Sequence, residues 1–209
     1  LLYRNTRSLT ETLNMLLAAF ARTNGKRPHL AHRLDAETSG VILAAQTKPA
    51  AAALQTAFET RHMAKTYLAI ATGRLPERDS GRIDRSIRRV RRRGAVVAEA
   101  CAHDDEDARP AVTDWCLLAR AGDAALLRLS PVTGRMHQIR IHLATIGLVI
   151  AGETRHGTGA PAPRLMLHAR AIAGPHPDGG RFSCCAVPPP DFVEQAEVRG
   201  LAAGLKDAY

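Results

Sequence analysis

The sequence predicts an α+β fold: a mixed, largely antiparallel central sheet flanked by helices. Three observations predict it. Short β-rich segments alternate in polarity, as in KTYLAIATG (65–73). Two apolar segments, TDWCLLAR and AALLRLSP, flank Ala121-Gly122-Asp123 in the pattern of a hairpin. Elsewhere apolar residues recur at helical spacing, as at Ile139, Leu143 and Ile146. A chain of 209 residues can bury a large core, and with no internal repeat or evident linker a single domain over 1–209 is expected.

Each element has a local reason. SLTETLNMLLAAFARTNG (8–25) reads as a first helix: Ser8 and Glu11 fit a capping box, Leu9, Leu13, Leu16, Leu17 and Phe20 share a face, and Gly25 follows the end. VILAAQ (41–46) reads as a short buried strand, and KPAAAALQTAFETRH as a second helix with Leu54 and Phe58 on one face. KTYLAIATG is the next strand. GRIDRSIRRVRRRG (81–94) carries seven Arg, and HDDED (103–107) is acidic; together they read as a polar, partly mobile excursion between core strands. After the hairpin, TGRMHQIRIHLATIG (133–147) reads as a turn and then a helix that stops at Gly147. RLMLHARAIAG is a further strand, VPPPDF ends any sheet, and FVEQAEVRGLAAGL closes the chain as one helix.

Composition bounds the function. The net charge is +9, which favours a polyanionic partner, and of the 29 basic residues only four are Lys. Arginine forks phosphate and stacks on bases better than lysine does. No run of 18 apolar residues predicts a membrane span, and no signal peptide is visible. Cys101, Cys116, Cys184 and Cys185 match no zinc spacing, so reduced thiols in a cytoplasmic protein are expected, with no metal and no cofactor. His137 and His142 lack the spacing of a zinc helix. The HRLD tetrapeptide lacks the Asn and the Gly-rich loop of a kinase.

The stretch HRLDAETSG (32–40) bears the most chemistry. Asp35, Thr38, Ser39 and Gly40 suit a turn on their own. His32 and Arg33, however, are polar beside a buried strand, and a carboxylate there needs a cation or several donors to stay ionised. Arg140, on the flank of its helix's apolar stripe, is expected to be partly buried and to need a carboxylate. Asp35 is one candidate partner; a purely structural ion pair is equally compatible with the two residues. Tyr67, on the alternating strand, reads as a core tyrosine or as a site residue.

Taken together, HRLDAETSGVIL, KTYLAIATG, RPAVTD, SPVTGRMHQIRIHLATIGLVIAGE and PRLMLHA stand in the order and spacing of the RluA-like pseudouridine synthases, which the chain resembles over about residues 9–192. The resemblance implies the pseudouridine synthase catalytic fold, with an active-site cleft across the sheet, and isomerisation of uridine in rRNA or tRNA without a cofactor. It implies that Asp35 is the essential carboxylate, that Tyr67 packs on the uracil, and that Arg140 pairs with the Asp. It places Arg33 in the space the target base vacates, and Leu165 and Leu167 in the apolar wall of the uracil pocket. His32, Arg135, His137 and Gln138 are further expected RNA contacts. An RNA stem-loop partner and a monomer are expected. The sequence departs from the family pattern at Glu153, where Asp is common, and at His156-Gly157, where Tyr-Gly is common; the upstream Asn-Lys-Pro strand block is not found in these residues. The rival reading is a non-catalytic RNA-binding or RNA-folding protein using the same basic surface.

Overall fold

The computed structural model describes residues 17–21, 25–92 and 94–207. Most of the expected first helix lies outside them, and its described part, Leu17–Phe20, is one turn of 3-10 helix. The strands are β1 (His29–Leu30), β2 (Ser39–Gly40), β3 (Ala44–Ala45), β4 (Ala64–Gly73), β5 (Ser80–Asp84), β6 (Ile87–Arg92), β7 (Ala95–Ala100), β8 (Val112–Ala121), β9 (Ala124–Pro131), β10 (Leu148–Ile150), β11 (Leu167–Pro175) and β12 (Arg181–Cys185). The helices are α1 (Lys48–Glu59), α2 (Gln138–Thr145), α3 (Pro190–Val198) and α4 (Ala202–Lys206). The α+β class and the largely antiparallel pairing are as expected. Contacts divide the chain into two compact units, 1–65 with 168–188, and 66–167 with 189–209.

In the first unit, β11 pairs antiparallel with β12 and parallel with β2, while β1 pairs with β3. The strand expected over 41–46 shrinks to Ala44–Ala45, because β1 offers only two residues to pair with. Helix α1 forms where periodicity placed it. The Thr47 side chain accepts the Ala50 N–H, Pro49 sits in the first turn where its missing N–H costs nothing, and Ala51, Leu54 and Ala57 are buried. Leu54 packs with Ala31 and Ala45, and Ala57 with Met63 and Ile172.

In the second unit, β10, β4, β9, β8 and β5 pair in that order, each antiparallel to its neighbour. Gly122 takes the positive φ the β8–β9 turn needs. Leu68, Ile70, Leu126, Leu127 and Leu129 are fully buried on these strands, and Leu143 of α2 and Phe192 of α3 close over them. The expected single last helix is two, α3 and α4, because Gly200 adopts φ +70° and turns the chain between them.

The Arg-rich excursion is a further departure. Ile87–Arg92 and Ala95–Ala100 pair as a regular ribbon, β6–β7, with Arg88 opposite Glu99. Its acids are built in: Arg88 bonds Glu99 at 2.8 Å and Asp105 at 2.5 Å, and Arg92 also bonds Glu99. Ile87 and Ala98 bury against Ala111 and Ile141 at its base. The sequence expectation is a polar, partly mobile excursion, but arginines paired to nearby acids do not prevent a strand. No helix among the described residues is long and apolar enough to cross a membrane.

Candidate active site

In the first unit, half-buried Asp35 sits on the loop between β1 and β2. Its carbonyl accepts the Thr38 N–H at 3.0 Å, which closes the turn. The following residues clamp that turn to β11. Gly40 has φ +117°, and a Cβ there would lie 2.1 Å from the Ala169 carbonyl oxygen, so only glycine allows the approach. The Ser39 hydroxyl lies 3.0 Å from His168 Nδ1, whose Nε2 is 3.0 Å from the Ala186 carbonyl. A carbonyl only accepts, so Nε2 carries a proton, and in the neutral ring Ser39 donates to Nδ1. Thr38 Oγ1 is buried without a hydrogen-bond partner among the described residues, a cost of about 1–3 kcal/mol held three residues from Asp35.

His32 braces the other side of the loop. Its Nε2 accepts the Leu43 N–H at 2.9 Å, and its ring lies 4.7 Å from that of Phe58. Burial, with Lys65 adding to it, lowers its pKa from 6.5 to about 4 against the Arg33 backbone bond. The ring is therefore neutral at neutral pH and braces the loop. Its neighbour Arg33 is exposed. Burial, and then the Arg61 charge, lower the Lys65 pKa to about 8.

In the second unit, Tyr67 stands on β4 opposite Leu129, half-buried. Arg140, in the first turn of α2, is 4% exposed. The carboxylate set against it is Glu153, 3% exposed, which accepts from Arg140 Nε and Nη2, each at 2.6 Å. The same carboxylate takes the N–H groups of Thr154 (2.9 Å), Arg155 (2.7 Å) and His156 (3.3 Å). Burial alone would raise the Glu153 pKa, but the Arg140 bond and the backbone donors overcome it and bring it to about 2. Gly152 makes the corner possible: a Cβ there would lie 2.0 Å from the Arg164 carbonyl oxygen. The sequence treated Glu153 as a variation in loop packing. It is the anchor of the Arg140 guanidinium, and the signal available for it was a carboxylate inside an otherwise apolar run, LVIAGE.

Gln138 is held by four hydrogen bonds within the fold. Its Oε1 accepts from the Thr133 hydroxyl (2.7 Å) and the Arg135 N–H (2.9 Å), and its Nε2 donates to the Val112 carbonyl and the Thr113 hydroxyl (both 2.9 Å). All four hydrogen-bonding positions of the amide are used within the fold. The chain of bonds continues inward. Fully buried His142 meets Thr113 Oγ1 at 2.9 Å and the Arg85 carbonyl at 3.0 Å, and burial lowers its pKa, so it is neutral. Gln138 and His142 therefore tie the start of α2 to β8 and to the chain entering the ribbon. Sequence reasoning missed Thr113 and His142 because their partners are 25 or more residues away.

His137, at φ +54°, precedes α2, and its Nδ1 lies 2.7 Å from His156 Nε2. Arg135 is exposed, and its Nε donates to the Pro110 carbonyl at 3.1 Å. Leu165 and Leu167 are seated inside the core cluster, at 0% and 2% exposure, so they bear on any apolar wall from within. Among the described residues no group of three or more His, Cys, Asp or Glu side chains is placed to hold a metal ion.

A sequence model of the RNA pseudouridylate synthases matches residues 8–145. The chain is 37% identical to an uncharacterized RNA pseudouridine synthase of Chloroflexus aurantiacus, covering 85% of this chain and 56% of the relative. It is 32% identical to ribosomal large subunit pseudouridine synthase D of Haemophilus ducreyi (82% and 55% covered), and 34% identical to tRNA pseudouridine synthase C of Pectobacterium carotovorum (75% and 46%). Human RNA Pseudouridylate Synthase Domain Containing 4 superposes with a TM-score of 0.74 at 26% identity, over 90% of this chain and 82% of that one. An Asp-bearing turn clamped by Ser39 and Gly40, and a buried arginine at the head of α2, thus stand on a scaffold shared with these proteins, and the chain belongs to the RNA pseudouridylate synthase family. It spans about half the length of the curated relatives it matches.

Proposed function

We propose that this chain isomerises uridines of rRNA or tRNA to pseudouridine in the cytoplasm, with Asp35 as its essential carboxylate. The observation that carries the reading is the family match together with the build of the Asp35 loop. A turn clamped by Ser39 on one side and braced by His32 on the other holds a half-buried carboxylate in one place. The relatives named for ribosomal large subunit and for tRNA support both substrate classes.

The reaction is a rearrangement. The bond from the ribose to uracil N1 breaks, the ring turns, a bond forms from the ribose to C5, and the C5 proton is lost as N1 gains one. Asp35, ionised, acts on the ribose or the base, and Arg140 is the second residue this reading assigns to the chemistry. The buried, bidentate Glu153 bond fixes the plane of the Arg140 guanidinium beforehand. Tyr67 packs on the uracil. The target atoms are hidden in a stack, so the nucleotide turns out at a cost of a few kcal/mol, and exposed Arg33 offsets part of that by filling the gap.

The test is Asp35→Asn, assayed on unmodified bacterial rRNA and tRNA by pseudouridine mapping. The expected result is loss of product with unchanged folding and RNA binding. Wild-type turnover in the variant would refute the role of Asp35. A wild-type chain that binds both RNA pools and modifies neither would favour the non-catalytic reading.

A further inference from the structure

The sequence offered seven arginines in residues 82–93 as one basic run. The structure divides them. Arg82 is paired with Asp114 at 2.6 Å, while Arg88 and Arg92 are paired with Glu99, and Arg88 also with Asp105. Side chains alternate along a strand, so Arg88 and Arg92 share the face of the β6–β7 ribbon that carries Glu99. Ile87 and Arg89 lie on the opposite face, where Arg89 makes no ion pair with a described residue.

That opposite face borders a cavity of about 300 Å³, lined by Ile87, Arg89, Asp107, Arg109, Gly134, Arg135 and Met136. Three guanidinium groups from three separate segments converge there: the ribbon, the segment leading to β8, and the turn before α2. They face a single carboxylate, that of Asp107. The positions are set by the fold. Arg109 is held by reciprocal backbone bonds with Ile87 (3.0 and 3.1 Å), and Arg135 by its Nε bond to the Pro110 carbonyl and by the Gln138 amide on its N–H. Ile87 and Met136 pack beside Ile141 and give the cavity an apolar floor. Arg89 and Arg109, which make no ion pair among the described residues, line the cavity beside Arg135 on an apolar base, a lining that suits an anion, and guanidinium forks match phosphate oxygens.

We propose that this cavity binds a backbone phosphate of the RNA through Arg89, Arg109 and Arg135, and that the ion-paired arginines of the same ribbon do not contribute. The proposal rests on the reading that RNA is the substrate and adds where its backbone is gripped. It also replaces the undivided Arg82–Arg93 run with two faces of different function, one neutralised by its own acids and one directed at phosphate.

The test compares two variants of the full chain with the same loss of charge. Arg89→Gln with Arg109→Gln empties the pocket; Arg82→Gln with Arg92→Gln removes two exposed, ion-paired arginines. Binding to an unmodified tRNA transcript and an unmodified large-subunit rRNA transcript is measured between 50 and 200 mM salt. Each lost phosphate contact flattens the dependence of log K on log salt by about 0.7–0.9, so the pocket variant should lose about 0.7–0.9 of slope and be about threefold less weakened by salt over that range. The ion-paired variant should lose less than half as much, and Arg89→Lys with Arg109→Lys should restore most of the slope. Equal slope losses in the two charge-matched variants, or an unchanged slope in the pocket variant, would overturn the proposal. The readout needs no turnover, so its outcome is separate from that of the Asp35 test. Pocket-dependent binding without pseudouridine would sink the proposed function and leave the pocket, while normal turnover with an unaltered slope would do the reverse.

Discussion

Replacing Glu153 by Gln removes one charge and keeps the shape. In the folded chain that carboxylate takes five hydrogen bonds, two from Arg140 and three from the backbone of residues 154–156. Glutamine can accept some of these through its oxygen, but its NH2 group meets N–H donors, and the buried Arg140 guanidinium loses its counter-charge. Removing one partner of a buried pair costs about 3–5 kcal/mol. The carboxyl pKa, set by the same bonds, gives a figure of the same order: moving it from 4.5 to about 2 corresponds to about 3 kcal/mol of added stability in the charged form. The two agree, and either is a large share of the 5–15 kcal/mol typical of a domain. Urea unfolding at pH 7 should therefore show Glu153→Gln lower by about 3 kcal/mol or more. The wild type keeps this contribution above pH 4.5 and loses it as pH falls toward 2; the variant should lack that part of the acid transition. Glu153→Asp keeps the charge on a shorter stem and should fall between the two. A Gln variant within about 1 kcal/mol of wild type, with the same acid limb, would refute the claim that Glu153 anchors Arg140.

Two further outcomes follow from the first unit. His32 has its pKa lowered to about 4 from 6.5, so the native state refuses a proton that the unfolded chain accepts between those values. Stability that is full above pH 6.5 should decline by up to about 3 kcal/mol as pH falls to 4, and His32→Gln should flatten that window; an unaltered slope would show that the ring is not the group titrating. Gly40→Ala places a methyl group 2.1 Å from the Ala169 carbonyl oxygen at φ +117°, so β2 must leave β11. A loss of about 3 kcal/mol or more in thermal unfolding is expected, with activity falling alongside it, and a stable, active Gly40→Ala would contradict the clamp.

Much of the fold was legible because its signals are local. KTYLAIATG alternates, the β8–β9 segments flank a glycine turn, and Ile139, Leu143 and Ile146 repeat at helical spacing; each pattern predicts its element without reference to a distant partner. The elements that went wrong lack that property. VILAAQ is apolar enough for a strand, but how much of it pairs depends on β1, which supplies two residues. GRIDRSIRRVRRRG looked like a mobile loop because its counter-charges, Glu99, Asp105 and Asp114, stand up to 32 residues away. The final helix was split by one positive φ at Gly200.

For the candidate site the division is sharper. By itself the sequence determined the family, and with it the expectation for Asp35, Tyr67 and Arg140, because motif identity and order are one-dimensional information. The tertiary structure alone decided what the motif residues do for the fold. Gln138 and His142 tie α2 to β8, Ser39 and Gly40 clamp the Asp35 turn to β11, and His32 braces the same loop as a neutral ring. It also set Glu153 against Arg140 and separated the paired arginines of the ribbon from those around the cavity. The physical reason is common to all of these: a hydrogen bond or ion pair is a property of two groups and a distance, and distance between residues far apart in sequence exists only once the chain has folded.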